Sequence, residues 1–250
     1  MEAGTPGFIP FTKGRRSNRR YTNTTIWVDK ISKYIHHDHQ ETTNAKETLI
    51  SKTNLENFAN LYNRKINHIH SDNGIYASKA FTQSIESSHQ THSICGVGAH
   101  WQNGSVESYI GTLTAKARTM LLHAMEQWGT IITTEFWPYA ISHAIRIHNS
   151  ALCHKQTKCP YMLFIDEDTP HKTTDYRTLF CPVLVLEHEL QDGNTIPKFS
   201  RKRSHIGVYV GHSPNHASNV ILVYNPLTGL VSPQYHCVFD EAFATVQNND

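Results

Sequence analysis

Two carboxylates, Asp72 and Glu107, stand 35 positions apart (107 − 72) in a 250-residue chain, and each lies where a metal ligand could be held rigidly. Asp72 follows the apolar-alternating segment Lys65-Ile-Asn-His-Ile-His70 within His-Ser-Asp-Asn-Gly, while Glu107 closes Gln-Asn-Gly-Ser-Val-Glu and opens a helical sequence. Mg²⁺ and Mn²⁺ are hard cations that take oxygen ligands, so Asp and Glu suit them better than His or Cys. Two such ions about 3.5–4 Å apart clamp the attacking and leaving oxygens of an in-line displacement at a phosphodiester, which requires carboxylates converging from separate elements. Asp-Asn-Gly is by itself an ordinary turn sequence. The Gln-Asn-Gly-x-x-Glu segment downstream favours the metal reading, so Asp72 and Glu107 are the candidate catalytic and metal-binding residues, with Mg²⁺ or Mn²⁺ as cofactor.

The elements around them follow from periodicity. Thr24-Thr-Ile-Trp-Val-Asp29 reads as a strand, with a second short one at Tyr34 to His37. Asn44 to Asn63 reads as a helix with Leu49, Phe58, Leu61 and Tyr62 on its apolar face, Ser78 to Gln90 as another, and Thr91 to Cys95 as a strand. The glycine-containing loop Gly96 to Gly104 permits close backbone approach to a ligand. In the helix from Ser105, Val106, Ile110, Leu113, Ala117, Leu121 and Ala124 form the buried stripe. Arg118 falls near the azimuth of Glu107, where it meets a phosphate or takes a buried pairing role. Glu135 to Asn149 is a further helix, Ser150 to Asp175 a broken stretch with one turn at Tyr161 to Ile165. Short strands follow at Pro182 to Leu186, His205 to Gly211, Asn219 to Tyr224 and Leu230 to Phe239.

Basic residues gather in two places. Five of the eight residues Lys13-Gly-Arg15-Arg16-Ser-Asn-Arg19-Arg20 are basic, and Lys198-Phe-Ser-Arg201-Lys202-Arg203 adds a second run with an aromatic inside it. Each is a candidate phosphate contact and equally a solvated loop. Together with Asn103 and Arg118 they make the candidate DNA-binding set. His36-His37-Asp38-His39 invites a zinc reading, but alternation lets at most His37 and His39 share a face, and no partner pair at zinc-finger spacing exists.

Composition sets outer limits. The chain is 38% hydrophobic and 18% charged, with no 18-residue apolar run for a membrane helix and no apolar signal segment. Five cysteines without a Cys-x-x-Cys pair suggest free thiols in a reducing compartment.

The motif Ser-Asp-Asn-Gly, followed by Gly-Val-x-Ala-His-x-Gln-Asn-Gly-x-x-Glu and Ala-Arg-Thr-Met-Leu-Leu-His-Ala, resembles the integrase core of copia-type (Ty1/copia) retrotransposons, most of all the forms of diatoms and related algae. The resemblance continues through Phe-Trp-Pro-Tyr-Ala (136–140), Cys-Pro-Val-x-Val-Leu (181–186), Gly-Val-Tyr-x-Gly-x-Ser-Pro (207–214) and Thr-Gly-Leu-Val-Ser-Pro-Gln-Tyr-His (228–236). It implies an α/β fold: an RNase H-like catalytic core over residues 1–150 with its first strand cut short, a linker over 151–178, and a small SH3-like β-barrel over 179–247. It further implies DNA strand transfer by a polynucleotidyl transferase of the Asp-Asp-Glu type, element ends and target DNA as partners, a homo-oligomer, and a nuclear location without membrane attachment.

Asp72 and Glu107 match the second and third carboxylates of that family. Asp29 matches a non-ligand aspartate on the second strand, which places the family's first carboxylate immediately upstream of Met1. Ser108 and Gly111 also stand where the family is usually basic. The sequence therefore leads us to expect a truncated, inactive integrase fragment. A non-catalytic DNA-binding or protein-interaction relic, and a metal-dependent nuclease using Asp29 as a substitute ligand, remain as alternatives.

Overall fold

A computed structural model describes residues 2–8, 11–12, 15–16, 20–96, 103–152, 157–167 and 176–247. In chain order the strands and helices begin with β1 (Glu2–Phe8), β2 (Phe11–Thr12), β3 (Arg15–Arg16), β4 (Arg20–Val28), β5 (Ile35–Gln40) and α1 (Ala45–Leu61). They continue with β6 (His68–Ser71), α2 (Lys79–Ser87), β7 (Thr91–Ile94), α3 (Gly104–Trp128), α4 (Trp137–Ser150) and α5 (Pro160–Ile165). The C-terminal part holds β8 (Pro182–Leu186), α6 (His188–Gln191), β9 (Ser204–His212), β10 (Ile221–Asn225), β11 (Leu230–Gln234) and β12 (Cys237–Phe239). The α/β class expected from the sequence, with a strand-rich C-terminal part, is the class observed. The chain gathers into two compact units, one of residues 1–6, 21–115 and 144–171, the other of residues 7–20, 116–143 and 172–250.

In the first unit a three-stranded sheet runs in the order β1-β4-β5, and β6 and β7 form a parallel pair. β-Branched Thr22, Thr24, Thr25, Ile26 and Val28 favour the extended conformation of β4. It pairs antiparallel with β5 in the register Thr24↔His39, Ile26↔His37 and Val28↔Ile35. The turn between them is tied by Asp29, whose Oδ2 accepts from the Ser32 N–H (2.7 Å), the Ser32 hydroxyl (2.7 Å) and the Ile31 N–H (3.2 Å). The outer edge of β5 is satisfied by α4: Asn149 Oδ1 accepts from the Ile35 N–H (2.9 Å) and its Nδ2 donates to the Ile35 carbonyl (2.8 Å).

α1 starts at Asn44, whose side chain accepts from the Glu47 N–H (2.9 Å), while the Glu47 carboxylate accepts from the Glu41 N–H (2.8 Å) and the Thr42 hydroxyl (2.8 Å). This reciprocal arrangement satisfies amides that a helix start leaves unpaired. Its buried face corrects the expectation: Leu61 is 78% exposed, and the covered positions are Thr48, Ser51, Lys52, Leu55 and Ala59. Leu49 packs toward Ile69, Phe81 and Ile85, whereas Phe58 and Tyr62 pack on Tyr34, Ala59, Phe164 and Ile165. The last two belong to α5, so the single turn expected at Tyr161 to Ile165 is a short helix docked into an aromatic cluster.

In the second unit, five antiparallel strands lie in the order β11-β10-β9-β8-β12. Four successive strands form a meander, and the fifth returns to pair with the first. The expected strand Leu230 to Phe239 is in fact two, because the chain bends at Tyr235–His236 and sends β12 to the opposite edge. Gly207 in β9 allows the close approach of β10, since a Cβ there would lie 2.3 Å from Val223 Cγ1. Ala117, Leu121, Ala124 and Trp128 of α3 are buried, and the Trp128 indole donates to the Phe180 carbonyl (2.7 Å). Cys95, Cys159, Cys181 and Cys237 are free thiols, as expected; Cys153 lies outside the described residues. Among the described residues no helix is long and apolar enough to cross a membrane.

Two outcomes follow. Asn149→Ala strands a buried backbone donor and acceptor of Ile35, so denaturant titration should record a loss of about 2 kcal/mol or more. His37 is pushed down from 6.5 to about 4 by removal of its ring from water and by neighbouring His36, with Asp38 opposing. Between those values the unfolded chain binds a proton that the folded chain does not, so stability is complete above 6.5 and falls as the pH drops toward 4. Denaturation at about pH 7 and about pH 5 should show a smaller acid loss for His37→Gln than for wild type.

Candidate functional site

Alternation along β6 buries Ile69 and Ser71 and turns His68, His70 and then Asp72 to the exposed side. Asp72 is the first residue after the strand. Its Oδ1 accepts a long bond from the Gly74 N–H (3.3 Å), and a 3₁₀ turn at Ile75–Ala77 follows. Tyr76 in that turn anchors the loop, its ring edge-on to Trp27 (5.8 Å between centroids) and to Phe81 (5.3 Å). Burial pushes the Tyr76 phenol up to about 12; the negative charge of Asp72 adds to the effect, and a hydrogen bond with Thr25 opposes it. The Asp72 carboxylate therefore lies within electrostatic reach of a phenol fixed to β4.

Beside Asp72, the exposed face of the β6–β7 pair carries a ladder of imidazoles and hydroxyls. His68 Nδ1 meets the Thr91 hydroxyl (2.8 Å) and its Nε2 the Ser93 hydroxyl (2.9 Å), while His70 Nδ1 meets the same Ser93 oxygen (2.8 Å) and its Nε2 the Cys95 sulfur (3.4 Å). The Thr91 hydroxyl donates to the Asn67 carbonyl (3.2 Å). One donor order is consistent with that bond: Cys95 to His70, His70 to Ser93, Ser93 to His68 and His68 to Thr91. On the opposite face His92 pairs with Ser71 (2.9 Å), and its pKa is lowered by burial and by the nearby His68 and His70.

Glu107 lies in the first turn of α3 and is exposed. The partial positive charge of the helix N-terminus favours a carboxylate there. Residues 104–115 of α3 belong to the same compact unit as Asp72. Both residues are thus solvent-facing oxygen donors on rigid element ends. Among the described residues, however, no group of three or more His, Cys, Asp or Glu side chains comes together to hold a metal ion. Asp29 does not supply a third ligand, because its carboxylate ties the β4–β5 turn. The His36–His39 run is structural as well. His36 Nε2 lies 3.2 Å from Asp38 Oδ2, and His39 Nδ1 bonds the Thr24 hydroxyl (2.8 Å).

The other candidates scatter. Arg15 and Arg16 form β3, paired with β2, and belong to the second unit; Arg19 lies outside the described residues, and Arg20 opens β4 exposed. Asn103 is half-buried just before α3, and residues 97–102 of the expected glycine-containing loop lie outside the described residues. Arg118 is exposed on α3, in the part of that helix assigned to the second unit. Arg201 is held by Glu189 (2.6 Å) and Glu187 (4.0 Å), whereas Lys202 and Arg203 are exposed. Sequence reasoning overlooked Tyr76 and the His68–His70 ladder. Period-two alternation through His68-Ile-His70-Ser-Asp72 carried the signal for the ladder.

No protein-family model and no curated protein matches the chain. Among solved structures it is similar to the HTLV-2 integrase catalytic core domain in complex with magnesium in its trimeric form, at 20% identity over 58% of this chain and 85% of that one, with a TM-score of 0.44. It is also similar to a chain of the simian T-cell lymphotropic virus intasome in complex with PP2A regulatory subunit B56 gamma, at 19% identity over 89% and 73% and a TM-score of 0.46. For the catalytic core domain of BIV integrase the values are 19% over 57% and 85%, with a TM-score of 0.42.

Because Asp72 and Glu107 are exposed, Asp72→Asn and Glu107→Gln should each change unfolding free energy by no more than about 0.5 kcal/mol. Tyr76→Ala, which removes a ring packed between Trp27 and Phe81, should cost about 3 kcal/mol or more in the same measurement.

Proposed function

We propose that this chain is an integrase core of the copia retrotransposon type: RNase H-like over residues 1–150, joined through 151–178 to an SH3-like barrel over 179–247, and acting on DNA in the nucleus as a homo-oligomer. The observation that carries the reading is the placement of Asp72 at the end of a parallel strand and Glu107 in the first turn of a long helix, both exposed and in one compact unit. The run of motifs from Ser71 to His236 supports it. So does the strand order in the second unit, where a four-strand meander is closed by a fifth strand on the first.

Asp72 and Glu107 offer the hard oxygen donors that Mg²⁺ or Mn²⁺ requires, and such ions, when bound by a complete ligand set, polarise a phosphodiester and activate the attacking hydroxyl. The described residues do not fit a full two-metal centre, since among them no group of three or more His, Cys, Asp or Glu side chains comes together. What the chain's own residues do is hold DNA. Exposed Lys202 and Arg203, with Arg118 and the Arg15–Arg16 hairpin, contact phosphates, and Asn103 positions the segment that enters α3. In this reading the chain engages DNA ends without joining them, a binding relic of an enzyme.

Purified protein incubated with pre-processed DNA ends and Mg²⁺ or Mn²⁺ should give no joined product yet bind duplex DNA. For about five phosphate contacts the affinity should fall roughly five-hundredfold between 50 and 200 mM salt, with or without Glu107→Gln. Joined product that disappears on Asp72→Asn would overturn the loss of activity; salt-insensitive binding, or none, would overturn the DNA reading itself.

A further inference from the structure

The loop between β8 and β9 carries an aromatic ring in an unusual setting. Phe199 is fully exposed, at 102%, in a turn formed by residues 198–200. Single exposed apolar residues are common and mean little. Here the ring lies in a short run with Lys198, Lys202 and Arg203, all exposed; Pro197 is exposed as well, and Ile196 is buried. The base of the loop is fixed. The Glu187 N–H donates to the Arg203 carbonyl (2.9 Å), the Gln191 side chain donates to the Leu186 carbonyl (2.7 Å), and His205 Nδ1 lies 3.0 Å from Glu187 Oε1. Arg201 is held against Glu189 and Glu187, so its charge is met within the loop. The result is a tip rooted at its base that presents an exposed ring and the exposed cations Lys198, Lys202 and Arg203.

We propose that Phe199 is a stacking platform for an unpaired base, with Lys198, Lys202 and Arg203 contacting the flanking phosphates, so that the loop selects DNA carrying single-stranded ends over blunt duplex. The inference rests on the DNA reading above. Exposed cations before and after an exposed aromatic suit a single strand, whose bases offer a π-face to any ring and whose phosphates lie to either side. An anionic membrane fits less well, because a single exposed ring flanked by Lys198 and Ser200 gives little insertion energy. A paired duplex fits less well again, because its bases are already stacked.

The test compares three fluorescent probes by anisotropy, namely a blunt duplex, the same duplex with a single-stranded overhang, and the single strand alone. The proteins are wild type, Phe199→Ala, Phe199→Tyr and the Lys202→Ala/Arg203→Ala double variant, with thermal melts to check folding. Phe199→Ala should weaken overhang and single-strand binding about tenfold, leave blunt-duplex binding and the salt slope unchanged, and be rescued by Phe199→Tyr. The double variant should weaken all three probes and flatten the salt slope by about two contacts. Salt-sensitive DNA binding indifferent to Phe199, or weakened equally for the blunt duplex, overturns this proposal alone. Absence of binding to every probe overturns the DNA reading together with it. Binding to phosphatidylserine vesicles that Phe199→Ala abolishes assigns the ring to a membrane and overturns the proposal.

Discussion

The first unit depends on a chain of hydrogen bonds that docks α1 on its sheet. The Trp27 indole donates to Ser51 Oγ (2.8 Å), the Ser51 hydroxyl donates to Asp38 Oδ2 (2.7 Å), and Asn54 donates to Asp38 Oδ1 (2.8 Å). His36 closes the group at 3.2 Å from the same carboxylate. Burial would raise the Asp38 carboxyl, but the bonds from His36, Ser51 and Asn54 carry it below the ordinary carboxylate range. Neighbouring polar bonds polarise one another in a low-dielectric setting, and a partly satisfied network is costly, so a helix seated this way has one register on its sheet. A second buried group extends the constraint to α2: Lys52, 1% exposed, donates to Glu56 (2.7 Å) and to the Ser88 hydroxyl (3.2 Å), and Gln90 reaches the same Glu56 oxygen (2.6 Å).

That docking sets the position of the strand that ends in Asp72. Leu49 on the neighbouring face of α1 packs with Trp27 and Tyr76 around Ile69, Phe81 and Ile85. Ile69 is the inward residue of β6, so fixing it fixes His68, His70 and Asp72 on the other face. Tyr76 then joins the loop after Asp72 back to β4 through Trp27 and Thr25. The acidic side chain itself stays exposed, while Ile69, Tyr76 and Trp27, which fix the segment around it, are buried or half-buried.

Where burial is apolar, the sequence reads correctly; where it is polar, periodicity misleads. Of the expected stripe, Leu113, Ala117, Leu121 and Ala124 follow a 3.6-residue period and are buried, whereas Val106 and Ile110 are half-buried. In α1 the same logic selected Leu61, because the covered Thr48, Ser51 and Lys52 carry no hydrophobic signal. The bend at Tyr235–His236 was invisible to alternation, since both halves of the segment alternate equally well. The positions of Asp72 just after a strand and Glu107 at a helix start were legible from the sequence around them. The tie between Arg201 and Glu187 and Glu189 was not, because it is made by residues more than ten positions earlier on a short helix turn that only the fold brings back.

The second unit places its variable chemistry where a rigid frame can carry it. β8 is paired on one side with β9 and on the other with β12, so the connection leaving it starts and ends on strands fixed by two neighbours: β9 lies between β8 and β10. Long connections rooted on such strands can hold exposed charge and an exposed ring without loosening the sheet, and this is where binding residues tend to concentrate. The same order leaves Leu184, Val238 and Ile206 as cross-strand neighbours on the exposed side of β8, β12 and β9. The connection over 187–203 joins β8 to β9 and carries exposed positive charge and an exposed aromatic ring.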